Sequence, residues 1–433
     1  MNVSQQSLLS SIESLLPGRV RAAETTDDVM GIHPQVVVEP EHEDEVATLL
    51  SYANKEGLKV LVRGSGTQLS TGFPPSAGDI VLSTARLNKL VEHAPQDLTV
   101  TVQAGMTLAN LQTALSEARQ WLALDPILAP EATIGGIIAT NSSGSCRLRY
   151  GGVRDQIIGV RVVLADGTIA RGGGKVVKNV AGYDLPKLFT GSLGTLGVIV
   201  EATFRLYPLP VTSRTVTIIS PNLRAICNMA VQVIGSTLVP TILDIFGSSD
   251  TPDTYTMAVR FETGQDAAEA QCKTIIDMAK QANVSQNVQT LQGEDETQFW
   301  SNMNKQSEVD DASGSRLTIK ASVLPTEVVY WLSQLQRVTQ QSHLATRWNV
   351  HAGHGLIFVQ LMGDDAALLK AVDELRKAAM TKRGSLVVVE TPVAMSQHLD
   401  VWGPSPAIEV MRRIKMRFDP NGTLNPGRFL GRI

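Results

Sequence analysis

The sequence predicts an α+β protein of two domains. Its 433 residues are more than a single hydrophobic core usually organises, and the pattern of the chain changes at Pro208-Leu209-Pro210. Before this point, Gly-rich turns follow strand-like runs. After it, strand-like runs alternate with Ala-rich helical runs, which is typical of an α+β domain. We therefore predict an N-terminal helix within 1–29, a first domain at 30–210, a second domain at 211–404 and a C-terminal segment at 405–433.

The elements of the first domain follow from periodicity and from turn residues. Apolar residues at helical spacing predict a helix at 4–16. A strand at 35–39 leads to a helix at 41–56, with Gly57 as the residue that ends it. The remaining predictions are strands at 58–62, 79–83, 98–103 and 157–164, a helix at 107–119 capped by Thr107, and a hairpin turn at 165–168.

The second domain shows strand-like runs separated by helical ones. Its Ala-rich helices are predicted at 266–282 and 365–380, and a short basic helix at 405–417 precedes the C-terminal tail. The predicted strands are 215–220, 255–261, 317–323, 355–361 and 385–390.

Composition excludes several classes of protein. The 38 basic and 42 acidic side chains leave a net charge of −4, so no basic excess indicates nucleic acid or an anionic membrane as a partner. Three scattered cysteines, Cys146, Cys227 and Cys272, do not predict an iron–sulfur or zinc site and favour a reducing compartment. The N-terminus has no signal-peptide pattern, and no apolar run approaches the roughly 20 residues that span a bilayer. We expect a cytoplasmic protein without a transmembrane segment.

Two Gly-rich segments lie where ligand-binding turns are expected. The first, Val62-Arg-Gly-Ser-Gly-Thr-Gln68, follows a strand-like run, and phosphates commonly bind at such strand exits. The second spans 130–152 and is rich in Gly, Ser, Thr and Asn. Glycine lets the backbone approach a ligand closely, and N–H and hydroxyl groups donate to phosphate oxygens. Neither segment is a Rossmann or Walker motif, so the pair indicates a large dinucleotide bound in another way.

Together these motifs resemble the vanillyl-alcohol-oxidase-type flavoproteins, whose FAD-binding domain is of the PCMH type and differs from the Rossmann fold. Within that superfamily the chain is similar to the FAD-binding subunits of bacterial glycolate oxidases. The motifs that carry the resemblance are Pro40-Glu-His-Glu-Asp-Glu-Val46, Val62-Arg-Gly-Ser-Gly-Thr67, Pro130-Glu-Ala-Thr-Ile-Gly-Gly-Ile-Ile-Ala-Thr-Asn141, Arg149-Tyr-Gly151, Asp155, Asp166-Gly167, Asn179, Gly182-Tyr-Asp184, Gly191-Ser-Leu-Gly-Thr-Leu-Gly-Val-Ile199 and Asp419-Pro-Asn-Gly-Thr-Leu-Asn-Pro-Gly-Arg428.

The resemblance implies a two-subdomain PCMH-type FAD-binding domain at 30–210, to which the segment 405–433 returns. It implies an α/β cap at 211–404, similar to the C-terminal domain of FAD-linked oxidases. The two Gly-rich loops would enclose the FAD pyrophosphate, and the amide of Ile199 would pair with adenine. The residues implied to bind FAD are Arg63, Gly64, Ser65, Gly66, Thr67, Gln68, Pro130, Thr133, Gly135, Gly136, Ala139, Asn141, Gly144, Tyr150, Gly194, Gly197, Ile199 and Asn425.

The first loop also bears on how the flavin is held. In several members of the superfamily a histidine in this loop bonds covalently to the flavin. Here Thr67 and Gln68 occupy the corresponding positions. We therefore predict that FAD is bound non-covalently.

The segment 349–355 of the cap carries the candidate catalytic residues, His351 and His354. In 2-hydroxyacid dehydrogenases of the superfamily, a similar segment continues to a second His seven residues after the first, and these residues hold a metal near the substrate. Here that position is Phe358, so no metal site is predicted and one of the two histidines is the candidate proton acceptor. The alternative interpretation is a hairpin histidine bonded to the main chain. Candidates for holding a substrate carboxylate are Arg316, Lys320 and Arg347.

Two main hypotheses about function remain open. In the first, the chain oxidises a short 2-hydroxy acid such as glycolate or D-lactate, with FAD as hydride acceptor. In the second, it is an accessory flavin-carrying or scaffold subunit whose sister subunit performs the oxidation. A scaffold that has lost FAD is a third possibility. The resemblance implies a sister flavin subunit and an iron–sulfur subunit as partners, and association with a membrane only through that complex.

Overall fold

In the computed structural model, the described residues are 3–126, 130–174, 183–285, 287–305 and 314–433. Asn179 and Gly182, which belong to the sequence motifs above, lie outside them. The chain forms two compact units. The first comprises Met1–Ser143, Gly151–Leu209 and Pro404–Ile433, and the second comprises Gly144–Tyr150 and Pro210–Gly403. The segment 144–150 therefore belongs to the second unit, although its sequence neighbours led us to place it in the first domain.

The secondary-structure elements are numbered here in chain order. The helices are α1 Val3–Leu15, α2 Glu43–Glu56, α3 Leu108–Ser116, α4 Ile134–Thr140, α5 Arg147–Tyr150, α6 Val153–Gln156, α7 Leu185–Phe189, α8 Leu223–Ile234, α9 Gln265–Gln281, α10 Gly293–Lys305, α11 Val328–Ser342, α12 Asp365–Thr381, α13 Val393–Ser396 and α14 Ile408–Phe418. The strands are β1 Val20–Ala22, β2 Val36–Val38, β3 Val60–Arg63, β4 Ile80–Ser83, β5 Leu90–Ala94, β6 Thr99–Gln103, β7 Gln120–Trp121, β8 Ile157–Val163, β9 Ile169–Gly173, β10 Val198–Arg205, β11 Tyr207–Pro208, β12 Thr212–Ser220, β13 Ile242–Ser248, β14 Tyr255–Thr263, β15 Asn287–Leu291, β16 Ser315–Ser322, β17 Ala345–His351, β18 Leu356–Gly363 and β19 Ser385–Glu390.

Two main sheets, together with the two-stranded pair of β7 and β11, organise the described part of the first unit. The smaller sheet has the order β1-β2-β4-β3, and its β2–β4 and β3–β4 pairs are parallel. The larger sheet is antiparallel, with the order β5-β6-β10-β8-β9. The predicted caps are confirmed: Gly57 ends α2 in the left-handed region at φ 71°, and the Thr107 side chain accepts a hydrogen bond from Asn110 N.

The second unit is built on an eight-stranded antiparallel sheet with the order β15-β12-β14-β13-β17-β18-β16-β19. The five strands predicted in this region are confirmed within a few residues at each end, whereas β13, β15 and β17 were not predicted. Successive residues of a strand point to opposite faces of the sheet. Residues that are partners across the eight strands therefore form a row that points to one face, and the neighbouring rows point to the other. The apolar row, almost fully buried, is Ile218, Met257, Ile245, Val350, Ile357, Ala321 and Leu386.

The opposite face of this sheet is the polar one, and we call it the polar face. One of its rows contains Asn349, Phe358 and Lys320 on adjacent strands. The next row on that face places Asp244 opposite His351. Predicted catalytic and carboxylate-binding residues from distant parts of the sequence thus share one surface of one sheet.

Candidate functional site

The first unit contains a groove with about 790 Å³ of open space. It lies between the loop that follows β3, the beginning of α4, the turn before β10 and the C-terminal tail. Strands and helices deliver these backbone segments to one place, as expected where strand exits form a binding site. The predicted FAD-binding residues that line it are Arg63, Gly64, Ser65, Gly66, Thr67, Gln68, Thr133, Gly135, Gly136, Ala139, Gly194, Gly197, Ile199 and Asn425.

The two Gly-rich loops approach each other so closely that side chains are excluded. A Cβ atom on Gly64 would lie 2.1 Å from Thr133 Oγ1. Within the described residues, the N–H groups of Ser65, Gly66 and Thr67 make no hydrogen bond. Unpaired N–H groups in a narrow, glycine-walled groove suit an anionic ligand such as a pyrophosphate.

The other walls are fixed by short-range contacts. Thr133 caps α4, and its side chain accepts a hydrogen bond from Gly136 N at 3.4 Å. On the opposite side, a Cβ on Gly194 would lie 2.7 Å from Asn425 Nδ2. Gly194, at φ 69°, therefore requires glycine for packing reasons, before any ligand is considered.

Four of the predicted FAD-binding residues are not part of the groove lining. Pro130 is exposed, and Asn141 is exposed and ends α4 in the left-handed region at φ 52°. Gly144 and Tyr150 belong to the second unit. The assignment of these four residues to FAD therefore stays a prediction from the resemblance, and the groove lining does not include them.

Arg63 lines the groove, but its charge is already engaged. Its Nη2 lies 2.8 Å from Asp27 Oδ1, and Arg21 Nη1 lies 2.6 Å from the other carboxylate oxygen. These arginines hold the pKa of Asp27 well below its usual range. Sequence reasoning missed another cation of the groove lining, Arg428, which is the last residue of the quoted tail motif.

The polar face of the second unit carries the candidate catalytic histidine. His351 is 7% exposed, and burial together with the positive charge of Arg147 lowers its pKa from 6.5 to about 3. Its ring centroid lies 5.1 Å from that of Phe358. A neutral imidazole at physiological pH is a proton acceptor. Within the described residues its Nδ1 has no hydrogen-bond partner, and the alternative interpretation of a hairpin histidine bonded to the main chain stays a prediction.

Two cations lie near His351. Lys320 is half-buried, and its pKa is lowered by burial and by the positive charge of Arg147. Arg147 is in α5, which contacts β13, and the adjacent Leu148 lies against Gly353. Among the described side chains, no carboxylate lies within 4.0 Å of the charged nitrogens of Lys320 or Arg147. We call Arg147, Lys320 and His351 the cationic cluster.

The other two carboxylate-binding candidates are already paired with acids. Arg347 Nη2 lies 2.9 Å from Asp250 Oδ2, and Arg316 Nη2 lies 3.9 Å from Glu390 Oε1. His354 lies in the turn between β17 and β18, and its electrostatic interaction with His351 makes a smaller contribution to the lowered pKa of that residue. Of the three candidate cations, Lys320 is therefore the one that the structure brings to His351.

A second polar cluster lies further along the same face, and in it a single arginine is paired with two carboxylates. Arg260 Nη2 lies 2.9 Å from Glu262 Oε1, and Arg260 Nε lies 3.4 Å from Glu296 Oε1. Ser213 and Thr215 donate hydrogen bonds to Glu296 Oε1 at 2.7 and 2.6 Å. We call Arg260, Glu262 and Glu296 the neutralised cluster.

The described residues contain neither a cluster of metal-ligating side chains nor a membrane-spanning helix. Among these residues, no three His, Cys, Asp or Glu side chains lie close enough together to hold a metal ion. None of the described helices combines the length and apolar character that crossing a bilayer requires.

Two family models of known proteins match this chain, each mainly within a different unit. Residues 34–173 match the model of the FAD binding domain, and residues 214–388 and 399–429 match that of the C-terminal domain of FAD linked oxidases. The chain is 28% identical to glycolate oxidase subunit GlcD of Bacillus subtilis, over 92% of this chain and 89% of that protein. It is 29% identical to D-lactate dehydrogenase of Archaeoglobus fulgidus, over 92% of each chain.

Solved structures show the same fold. A structure of p-cresol methylhydroxylase with substrate bound superposes with a TM-score of 0.77 at 15% identity, covering 99% of this chain and 97% of that chain. The 4-ethylphenol oxidase from Gulosibacter chungangensis superposes with a TM-score of 0.74 at 16% identity, with the same coverage. The chain belongs to the FAD-linked oxidase family, is an oxidoreductase, and has FAD as its cofactor.

Proposed function

We propose that the chain oxidises a short 2-hydroxy acid, such as glycolate to glyoxylate or D-lactate to pyruvate, with FAD as the hydride acceptor. The relatives named for glycolate and D-lactate support this substrate class. The cationic cluster carries the proposal, because Arg147 and Lys320 supply positive charge with no carboxylate within 4.0 Å among the described residues, beside a buried neutral histidine. A 2-hydroxy acid needs these two functions: a cation for its carboxylate and a proton acceptor for its hydroxyl.

We assign FAD to the groove of the first unit. Ser65, Gly66 and Thr67 would donate their free N–H groups to the pyrophosphate, and Gly64, Gly135 and Gly136 would leave room for it. The amide of Ile199 remains the proposed partner of adenine. FAD, when bound, supplies the acceptor for the hydride that leaves C2 of the substrate.

His351 would take the hydroxyl proton at Nδ1. Its lowered pKa keeps the imidazole unprotonated, but a base of such low pKa accepts a proton weakly. A substrate carboxylate beside Arg147 and Lys320 would offset the positive charges that lower this pKa. Binding of the substrate would therefore raise the basicity of His351 at the moment when it is required.

Phe358 favours a second candidate function. It lies on the polar face in contact with His351 and offers no ligand atom for a metal. In this alternative, the chain is an accessory flavin-carrying or scaffold subunit, and a sister subunit performs the oxidation. Both versions place the chain in a complex with a sister flavin subunit and an iron–sulfur subunit. We place this complex in the cytoplasm, because three scattered cysteines suit a reducing compartment.

An anaerobic absorbance titration of the purified chain distinguishes the candidates. Bleaching of the flavin by glycolate or D-lactate would support catalysis by this chain. A flavin spectrum that neither acid changes would favour the accessory role. Absence of flavin, even after reconstitution, would contradict both.

Acid precipitation of the holoprotein tests how the flavin is held. We expect the yellow colour in the supernatant, because Thr67 and Gln68 offer no nucleophile comparable to a histidine. Colour retained in the pellet would contradict non-covalent binding. Co-purification with a tagged chain then tests for the two partner subunits.

A further inference from the structure

The C-terminal tail forms a wall of the flavin groove and is itself firmly anchored. Lys415 is 7% exposed, and its Nζ donates to Thr195 O at 2.8 Å and pairs with Asp419 Oδ2 at 2.6 Å. Asp419 in turn accepts hydrogen bonds from Thr423 N and Leu424 N, each at 2.8 Å. This network joins the tail to the turn before β10.

From that anchor, the tail continues along β3. Val60 N donates to Thr423 O at 2.8 Å, and Asn425 N donates to Val60 O at 2.9 Å. The Asn425 side chain accepts from Val62 N at 3.0 Å and donates to Leu193 O at 2.7 Å. Asn425 therefore joins the start of the first Gly-rich loop to the turn that contains Gly194.

Arg428 contacts the other end of the same loop. Its Nη2 donates to Leu69 O, and to Thr71 O at 2.7 Å. The side chain is 4% exposed and lines the groove together with Ser65, Gly66 and Thr67. Burial lowers its pKa to about 10, so it stays charged at neutral pH. Charged donors make stronger hydrogen bonds than neutral ones.

We propose that Arg428 is a positioning residue for FAD, and that it holds the first Gly-rich loop in the conformation that binds the cofactor. The tail is hydrogen-bonded to both ends of this loop: Asn425 bonds to Val62, and Arg428 bonds to Leu69 and Thr71. The intervening N–H groups at 65–67 are left free to face an anion. Without Arg428, the loop would lose conformational entropy when FAD binds, and this free-energy cost would weaken the binding of FAD. The proposal concerns retention of the cofactor, whichever substrate the chain oxidises.

Equilibrium release of FAD from diluted holoprotein, followed by flavin fluorescence, tests this directly. We expect Arg428→Met to raise the Kd for FAD about 10- to 100-fold, the range for loss of a buried charged hydrogen bond. Arg428→Lys keeps one charged donor, so its Kd for FAD should lie between the values of Arg428→Met and of the parent protein. Arg417→Met is the matched control, because it removes a charge from the same segment at an exposed position. An unchanged Kd in Arg428→Met, or equal weakening in Arg417→Met, would overturn the proposal.

Hydrogen exchange of the holoprotein distinguishes a loss of loop positioning from a general loss of stability. This experiment uses Arg428→Lys, so it can be done even if Arg428→Met does not fold. In Arg428→Lys at saturating FAD, we expect faster exchange confined to residues 64–71. The second unit's sheet should exchange as in the parent. Unchanged exchange at 64–71, or an increase shared by both units, would contradict a specific hold on the loop.

Discussion

The two polar clusters of the second unit lie on one face of one sheet, yet their charges are balanced differently. In the neutralised cluster, Arg260 is paired with Glu262 and Glu296, and the hydroxyl groups of Ser213 and Thr215 donate to Glu296 Oε1. In the cationic cluster, Arg147 and Lys320 have no carboxylate within ion-pair distance among the described residues. Charges that are partly removed from water and have no partner within ion-pair distance are costly, so the cationic cluster is the one that a ligand would stabilise.

The pKa shifts show the same difference. Burial raises the pKa of Glu262, and the charge of Arg260 opposes that shift. In the cationic cluster, burial and neighbouring positive charges act in the same direction, and both lower the pKa of His351. The cation of the first cluster is already paired with carboxylates, which suits a structural role, whereas the cations of the second have no such partner within ion-pair distance among the described residues and would be stabilised by an anion.

The largest effect expected from breaking the cationic cluster is on the chemical step. Removing a general base typically slows the reaction about 10²- to 10⁴-fold, so His351→Gln should slow flavin bleaching by glycolate to that extent. Single-turnover mixing under anaerobic conditions measures this rate. His398→Gln is the control, because this histidine is exposed in the same unit. A rate within threefold of the parent would exclude His351 as the base.

Breaking the neutralised cluster should instead affect stability. Arg260→Met leaves two buried carboxylates without their cation, and breaking such a buried pair typically costs about 3 kcal/mol or more. Urea unfolding measures this loss. Arg347→Met, which removes a partly exposed pair with Asp250, should cost about 1 kcal/mol or less. If both variants lose the same stability, the distinction between the neutralised cluster and an ordinary surface pair is wrong.

Lys320 tests whether the cationic cluster recognises a carboxylate. Truncating one partner of a buried charge pair costs at least about 2 kcal/mol, so Lys320→Met should raise the KM for glycolate roughly 30-fold. Arg347→Met serves as the control here as well, because its guanidinium is paired with Asp250. Equal KM values for the parent and Lys320→Met would remove this residue from the site.

The same residue predicts a pH dependence. The pKa of Lys320 lies below that of an ordinary lysine, because burial and Arg147 disfavour its charged form. The KM of the parent should therefore begin to rise at a lower alkaline pH than normal lysine titration would give. Lys320→Arg, which stays charged throughout this range, should abolish the rise. An identical profile in both proteins would contradict the assignment.

Much of this fold was predictable because its signals are local. The cap at Thr107, the helix end at Gly57 and the Gly-rich turns each depend on a few neighbouring residues, and the structure confirms them. The lining of the groove by Gly64 and Gly135 was predictable for the same reason, since close backbone approach requires glycine at both positions. Local signals therefore identified the groove.

The cationic cluster was only partly predictable, because it depends on distant contacts. Arg147 is separated from His351 by 204 positions in the chain. Its segment reads as a continuation of the Gly-rich loop, and tertiary packing assigns it to the second unit. Strands β13 and β17 were missed because polar residues interrupt their apolar pattern, as Asp244 and Asn349 do on the polar face. A binding site requires such polar residues, whereas the apolar pattern by which a buried strand is predicted does not contain them.

The smallest predicted effect is on the pH dependence of the free energy of unfolding, to which the two clusters should contribute with opposite signs. The folded pKa of His351 is about 3, below its unfolded value of 6.5, so the unfolded chain binds more protons between these values. The stability from His351 is therefore present above pH 6.5 and is lost as the pH falls towards 3. Glu262 has the opposite sign: its folded pKa is raised above 4.5, so its contribution is present below pH 4.5 and is lost as the pH rises through the folded pKa.

These opposite slopes can be separated by measuring unfolding free energy between pH 4.5 and 6.5 at fixed FAD concentration. Each group contributes at most about 1.4 kcal/mol per pH unit. His351→Gln should remove a positive slope and Glu262→Gln a negative one, so the two variants should deviate from the parent in opposite directions. Deviations of the same sign would mean that the two clusters share one electrostatic environment. Opposite signs would support a division between a structural cluster and one that needs an anionic ligand.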